Sequence, residues 1–429
     1  MKRKLFTQMM HEWRDNIWIM LGLTIVSLAI WFFCSGLFSI LRHYFLPLGF
    51  DETDVYELTI GLLDNEAPGY VESDYEEGDI DSDDLRYVIS RIRNSQNVEA
   101  AGFTYYGSPY STSSYNTALY LAGEEPDTIG FPCQVMFMSP DVIKVLKIKS
   151  LTGKDEDWLK NKLEADEILV SPNPYLGKKL KSGELNISYG FSDNFRTPED
   201  ILGRLVHGYN DSINKYRVAD KVQLVRRYRY DTPPSGGAIR RIDESGAIKA
   251  SKILIRVKPG SGKKFSEEFE STPEMQRLRN VYLYDLISLT DKSYSVERND
   301  QLDTRLYFTL IGFLLIILFL GLLGTFWFRM HQRVSEIAIR RVCGASRADI
   351  FRRVFAEGMI LLAGASMIAA VVGWVIIKKT DFIQGFSTMD LLWFELATMA
   401  LVAIGIIVSI SYPAWKAMNI EPAVAVRDE

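Results

Sequence analysis

Residues 329–357 read RMHQRVSEIAIRRVCGASRADIFRRVFAE and lie between two long uncharged stretches of the chain. The stretch before, 306–328, has 23 residues, and the stretch after, 358–377, has 20. At about 1.5 Å of rise per residue, each is long enough to cross the roughly 30 Å of a hydrocarbon core as a helix. The segment between them has seven arginines against three acidic residues. Because short arginine-rich loops stay on the cytoplasmic side, the sequence predicts a helical membrane protein whose 329–357 segment faces the cytosol.

The 329–357 segment has the pattern of two helices separated by a break. Met330, Val334 and Ile337 recur at i, i+4 and i+7, which is typical of the apolar stripe of one helix. Gly344 can end that helix in a left-handed conformation. The Ser346–Asp349 tetrapeptide resembles a capping box that starts the next helix. Arginines alone would anchor a short loop, whereas the added helix, break and cap favour a rigid element that docks a soluble partner.

Two motifs carry a resemblance to a known family. The run RVSEIAIRRVCGAS at 333–346 resembles the R-x-x-E-I-x-I-R-R-x-x-G-A signature of FtsX-like ABC transporter permeases, the group that includes MacB and the lipoprotein-release permeases. The tail YPAWKAMNIEPAVAVR at 412–427 is similar to their P-A-x-x-A-x-x-x-x-P-x-x-A-L-R ending. Ala338 and Cys343 stand where glycine and leucine are common, and neither departure changes the charge or glycine pattern. Outside these motifs, the phrases MSPDVIKVLKIKSLTGKD, ADEILVSPNPYLGKKL and ILIRVKPG resemble the MacB-type periplasmic core domain.

The resemblance implies a dimer of permeases with two ATPase subunits on the cytosolic face. It also implies mechanotransmission, in which ATP-driven closure shifts the spans and moves the external domain. The chain itself lacks a P-loop, because VKPGSGKK at 257–264 has neither the first glycine nor the final Ser/Thr of that motif. We therefore predict a non-catalytic subunit with no cofactor or metal site, its ATP being bound by a separate chain. The residues predicted to engage that ATPase are Arg333, Glu336, Ile337, Arg340, Arg341, Gly344 and Ala345.

Hydropathy divides the chain into spans and one large soluble part. The run 17–41 is uncharged and no small-residue cleavage site follows it, which predicts an uncleaved first span. The fold class predicted is a membrane protein with four transmembrane α-helices plus a large extracytoplasmic α+β domain between the first and second spans. The predicted division is 1–16 cytosolic interfacial helix, 17–41 first span, 42–305 extracytoplasmic MacB-like core domain, 306–328 second span, 329–357 cytosolic coupling helices, 358–377 third span, 378–392 outer hairpin, 393–415 fourth span and 416–429 cytosolic tail.

Local patterns give further expectations. Ala365, Ala369 and Gly373 lie four residues apart on the third span and predict a face where helices pack closely, with a lipid-facing helix as the alternative. In the soluble part we expect a strand over 216–229 and a helix from Lys264 to about Arg279. Another helix is expected over 85–92, capped by Ser82. The acidic run 72–84 reads as a solvated loop, with calcium binding as the lesser reading because the EF-hand spacing is absent.

Charge and cysteine positions exclude one class of partner and one kind of crosslink. A net charge of −5 argues against nucleic acid. Cys34, Cys133 and Cys343 fall in a span, in the external part and in the cytosolic loop, so no intrachain disulfide is expected.

The predicted location is the bacterial cytoplasmic (inner) membrane, multi-pass, with both termini cytosolic. The predicted partners are a cytosolic ABC ATPase, a second permease subunit in a homo- or heterodimer, and the lipid bilayer. Export or efflux would add a periplasmic adaptor and an outer-membrane channel; the alternative function is an FtsX-like regulator or scaffold that controls an extracytoplasmic cell-wall hydrolase.

Overall fold

The computed structural model describes residues 13–72, 79–111, 113–122, 130–171, 201–208, 211–231, 236–242, 247–249, 252–379 and 388–419. Most of the predicted interfacial helix lies outside these residues, as do parts of the acidic run, the outer hairpin and the cytosolic tail. The chain divides into two compact units. One comprises 1–42 with 300–429, and the other 43–299.

Helices and strands are named here in chain order. They are α1 (Trp13–Phe45), β1 (Val55–Leu62), β2 (Ile80–Asp81), α2 (Ser82–Arg93), β3 (Val98–Thr104), β4 (Tyr115–Leu121), β5 (Gly130–Met138), α3 (Val142–Leu146), α4 (Glu156–Lys162), β6 (Glu167–Ser171), β7 (Leu205–Gly208), β8 (Asp211–Lys221), β9 (Gly236–Arg241), β10 (Ala247–Ile248), β11 (Lys252–Val257), α5 (Gly262–Ser271), α6 (Pro273–Gln276), β12 (Arg277–Leu278), β13 (Val281–Ser288), α7 (Leu289–Val296), α8 (Arg298–Gln332), α9 (Val334–Val342), α10 (Arg347–Lys379) and α11 (Thr388–Met418).

The first unit is a bundle of long apolar helices. Within the described part of the chain, α1, α8, α10 and α11 are the four helices long and apolar enough to cross a membrane. Their shared core includes Ile30, Leu322, Phe326, Leu361 and Ile410, all nearly inaccessible to solvent. Together with the mixed α+β unit that follows α1, these four helices confirm the predicted fold class.

The second unit is built on one large mixed sheet. Its strands follow the order β12-β13-β1-β11-β3-β5-β4-β7-β8-β6-β9. One face of the first half is covered by α2 and α5, which bury Leu85, Ile92, Phe265 and Phe269 against it. Short α3 packs on a second core through Val142 and its neighbours. Since each helix covers only one stretch of the sheet, separate hydrophobic cores form along the sheet.

The second half of the sheet closes into a six-stranded barrel. Strand β5 pairs with β4 on one side and, in parallel, with β9 on the other, so β5, β4, β7, β8, β6 and β9 form a ring. The interior is filled by apolar side chains from all six strands. They are Leu119, Leu121, Cys133, Val135, Ile168, Val170, Val206, Tyr216, Val218 and Ala238. A closed ring leaves no unpaired edge among these strands, and its small interior is filled by side chains.

Three local expectations are wrong, each for a physical reason. The predicted strand over 216–229 stops at Lys221, because the backbone N–H groups of Gln223 and Arg226 donate to the carbonyls of Lys149 and Leu48, which lie outside the strands. The predicted helix over 264–279 is interrupted at Thr272, because Pro273 has no N–H and begins a new helix. Asp81 rather than Ser82 caps α2, since the Asp81 carboxylate accepts from the Asp83 N–H.

Candidate functional site

Helix α9, between α8 and α10, is held on the bundle by its apolar side. Ile337 and Ala338 are buried, and Ile337 shares a core with Met330, Ile350 and Val354. The apolar stripe predicted from the sequence thus packs inward, but Met330 belongs to α8, because α8 continues to Gln332 and the chain breaks at Arg333. Since α9 contacts the ends of both neighbouring spans, a displacement of α9 reaches them directly.

A buried carboxylate ties these helices together. The Glu357 side chain is 7% exposed and lies on α10. It accepts a hydrogen bond from Arg329 of α8 at 3.2 Å and another from Arg333 at 3.1 Å. A buried charge is tolerated only when it is paired, so these contacts fix how α8 and α10 meet. The sequence shows Glu357 only as the last charge before an apolar run, and its role as the shared acceptor comes from the fold.

The outer surface of α9 has a weaker ion pair. Arg340 donates to Glu336 at 3.0 and 2.6 Å, as the i, i+4 spacing predicts. Both side chains are about two-fifths exposed. Such a pair supports a helix by a few tenths of a kcal/mol. Of Arg341 the structure describes the backbone but not the side chain.

The break after α9 has the predicted geometry. Gly344 has φ +94°, in the left-handed region, and the Ala345 N–H donates to the Arg340 carbonyl. A Cβ on Gly344 would meet nothing within 4 Å, so the glycine is needed for its backbone conformation alone. Ser346 and Asp349 form a reciprocal capping box, each accepting from the backbone N–H of the other at 3.1–3.2 Å.

The outward edge of α9 is apolar, which the sequence reading missed. Ile339 and Val342 are 59% and 70% exposed, and the thiol of Cys343 beside them is also exposed. Their i, i+3 spacing places them on one face, away from the buried stripe. The i, i+3 spacing of these two residues is present in the sequence, but the arginines between them dominate the pattern there. Contiguous exposed apolar surface is a feature of sites that contact another protein or a membrane.

The small residues predicted to pack on the third span are buried within this one chain. Ala365 and Ala369 are covered, and a Cβ on Gly373 would stand 2.9 Å from the Trp31 ring of α1. Close approach of α1 and α10 therefore depends on the absence of a side chain at Gly373. A role of this face between subunits stays a prediction.

In the second unit, one loop forms hydrogen bonds to two segments that adjoin the apolar helices: the end of α1 and the residue before α8. The loop 223–231, hereafter the arginine loop, contains Arg226, whose side chain is buried. Its guanidinium donates to the carbonyls of His43 at 2.7 Å and Leu46 at 3.2 Å, at the end of α1, and to those of Arg229 and Asp231. The last carbonyls of a helix have no partner within the helix, so Arg226 acts as a cap for α1.

The same loop holds the start of α8. The Arg229 N–H donates to Glu297 at 3.0 Å, and Glu297 directly precedes α8. The Arg229 side chain donates to Glu52 at 2.6 Å and to the Tyr110 hydroxyl at 3.3 Å. Burial and the hydrogen bond to Glu52 raise the pKa of Tyr110, so its hydroxyl stays protonated. The arginine loop therefore contacts the end of α1 and the residue just before α8.

The fold defines a four-span membrane protein with a large α+β unit between the first two spans. Residues 308–422 match the family described as FtsX-like permease C-terminal, which confirms the resemblance carried by the two motifs. The FtsX-like permeases belong to ABC transporters. No curated protein matches the chain.

Two solved structures are similar to parts of the chain. One is the extracellular domain of the noncanonic ABC-type transporter YknZ from Gram-positive bacteria, with 8% identity, covering 53% of this chain and 100% of that one, at a TM-score of 0.27. The other is a domain assigned to a permease of Porphyromonas gingivalis, with 14% identity, covering 56% and 91%, at a TM-score of 0.31.

Proposed function

We propose that the chain is the permease subunit of an ABC transporter, coupling ATP hydrolysis by a separate cytosolic ATPase to movement of its external α+β domain. The single observation that carries this proposal is α9 within the FtsX-like segment, rigidly seated by Ile337 and Ala338 and apolar along its free edge. The location is the cytoplasmic membrane, with both termini and α9 in the cytosol, and the assembly contains two permease subunits. Export or efflux of a molecule taken up outside the membrane is the work we expect.

Two sets of contacts would transmit the movement. At the cytosolic end, α9 packs on the bundle, and the Glu357 contacts join α8 to α10. At the other end, Arg226 holds the end of α1 and Arg229 holds Glu297 ahead of α8. When α1 and α8 shift, the arginine loop would shift with them, and it lies between β8 and β9 of the barrel.

The test reverses charge on α9 and compares the result with a control variant that changes the total charge of the cytosolic loop by the same amount. Arg340→Glu with Arg341→Glu is compared with Arg347→Glu and Arg352→Glu, two exposed arginines of the same loop on α10. Both double variants lose the same positive charge, so topology should suffer equally in each. Only the α9 variant should lose ATPase binding, at a cost of about 2–5 kcal/mol if the contacts are buried.

The measurement is co-purification of the Walker-type ATPase with the tagged permease from native membranes, and the ATP hydrolysis of that complex after reconstitution. Equal binding and hydrolysis in the wild type and the α9 variant would show that α9 only anchors the loop. A peptidoglycan hydrolase retained on the external domain, without any adaptor or outer-membrane channel, would favour the regulator over the exporter.

A further inference from the structure

One end of the six-stranded barrel is lined by aromatic rings and one arginine. Side chains alternate between the two faces of a strand, so Arg240 points to the same side as the buried Ala238 two residues before it. By the same rule, Phe137 follows Val135 to the inside. Tyr216 is itself part of the barrel core. Barrel ends are common places for small-molecule sites.

Two aromatic rings position the guanidinium of Arg240. Its carbon lies 4.0 Å from the ring centroid of Tyr216 and 5.7 Å from that of Phe137, and its backbone pairs on both sides with β5 and β6. Across the residues that the structure describes, no hydrogen bond or ion pair reaches its nitrogen atoms. Stacking fixes the plane of a guanidinium while leaving its five N–H donors available for an anion.

An aromatic row continues outward from this arginine. Tyr115 meets Phe137 with ring centroids 5.6 Å apart, Tyr106 lies 6.3 Å from Tyr115, and Tyr105 lies 4.1 Å from Tyr106. Tyr115 is 41% exposed, so the row is open to solvent. The Tyr105 hydroxyl donates to that of Tyr106 at 3.3 Å. This hydrogen bond and burial raise the pKa of Tyr105 to about 12.

We propose that this end of the barrel binds a small amphipathic ligand with an aromatic or flat apolar body and one carboxylate or similar anionic group. The anion would take paired hydrogen bonds from Arg240, which are among the stronger ones available to a protein. The apolar body would stack on Tyr115 and Tyr106. A cationic ligand is disfavoured by the charge of Arg240. This inference goes beyond the permease role and does not depend on an ATPase.

The experiment uses the full chain in zwitterionic nanodiscs, with empty nanodiscs as the partition control, and measures binding by equilibrium dialysis. Three probes share one ring system: 2-naphthoate, 2-naphthalenemethanol and 2-naphthylmethylammonium. We expect 2-naphthoate to bind at least about tenfold more tightly than the alcohol, and the ammonium compound to bind least. This comparison requires no substitution, so a folding defect cannot affect it. Equal binding of acid and alcohol, or preference for the ammonium compound, overturns the proposal.

Substitutions locate the site. Arg240→Gln should weaken 2-naphthoate binding by about tenfold or more while leaving binding of the alcohol unchanged, and Arg240→Lys should give an intermediate loss, since lysine keeps the charge but not the planar fork. Arg217→Gln is the matched control, because Arg217 adjoins Tyr216 on the outer, exposed side of β8. Unchanged affinity in Arg240→Gln, or an equal loss in Arg217→Gln, would show that Arg240 only packs on its rings.

Discussion

Glu357 carries a buried negative charge where α8, α9 and α10 meet. Removing it with Glu357→Ala would leave Arg329, itself 9% exposed, without the carboxylate at 3.2 Å. Breaking one side of a buried ion pair costs about 3–5 kcal/mol, because the remaining charge stays away from water. We expect this loss in the free energy of unfolding of the purified protein, measured by reversible denaturation in mixed micelles.

The control for that measurement is Glu336→Ala, which breaks the exposed pair with Arg340. Its effect should stay within about 0.5 kcal/mol, because solvent screens this pair. If the two alanine variants prove equally stable, Glu357 does not carry the junction between the helices.

At the scale of elements, the arginine loop joins segments that are far apart in the chain. Arg226→Lys keeps one charge but cannot reach four carbonyls in different directions, since lysine has a single donor centre. We expect faster amide hydrogen exchange at 43–46 and 223–231 in this variant, with the barrel core unchanged. Arg227→Lys is the neighbouring control, because Arg227 pairs mainly with Asp231 within the loop. Faster exchange in both variants alike, or in neither, would contradict the capping role of Arg226.

The contact of α10 with α1 gives a second prediction at this scale. Gly373→Leu should lower the stability of the bundle by about 1–3 kcal/mol, because its side chain would overlap the Trp31 ring. Adding Trp31→Ala should recover part of that loss, as expected for two residues in direct contact. Reduced crosslinking between subunits without a loss of stability in the single variant would instead place Gly373 at the dimer interface.

For the whole molecule, the decisive property is which side of the membrane each unit occupies. Cys133 cannot report it, because the thiol is buried in the barrel and burial raises its pKa, leaving little reactive thiolate. A better reporter is Ile213→Cys, at a position 90% exposed on the α+β unit, in a chain without other cysteines. We expect a membrane-impermeant maleimide to label it in intact spheroplasts and to label a chain with only Cys343 after lysis alone. Labelling in the reverse order would invert the proposed topology.

The four spans, the α+β class of the large domain and the local geometry of the 329–357 segment could all be predicted from the sequence. These features follow from hydropathy, residue spacing and the conformational needs of Gly344 and of the Ser346–Asp349 cap, all of which act within a few residues. Tertiary structure alone decided that Glu357 would accept from two arginines, that 223–231 would leave the strand pattern to cap α1, and that six strands would close around Arg240. Those outcomes depend on groups that folding brings together from distant positions in the chain. Buried charges and carbonyls must be hydrogen-bonded, and no local sequence pattern specifies which distant group will be the partner.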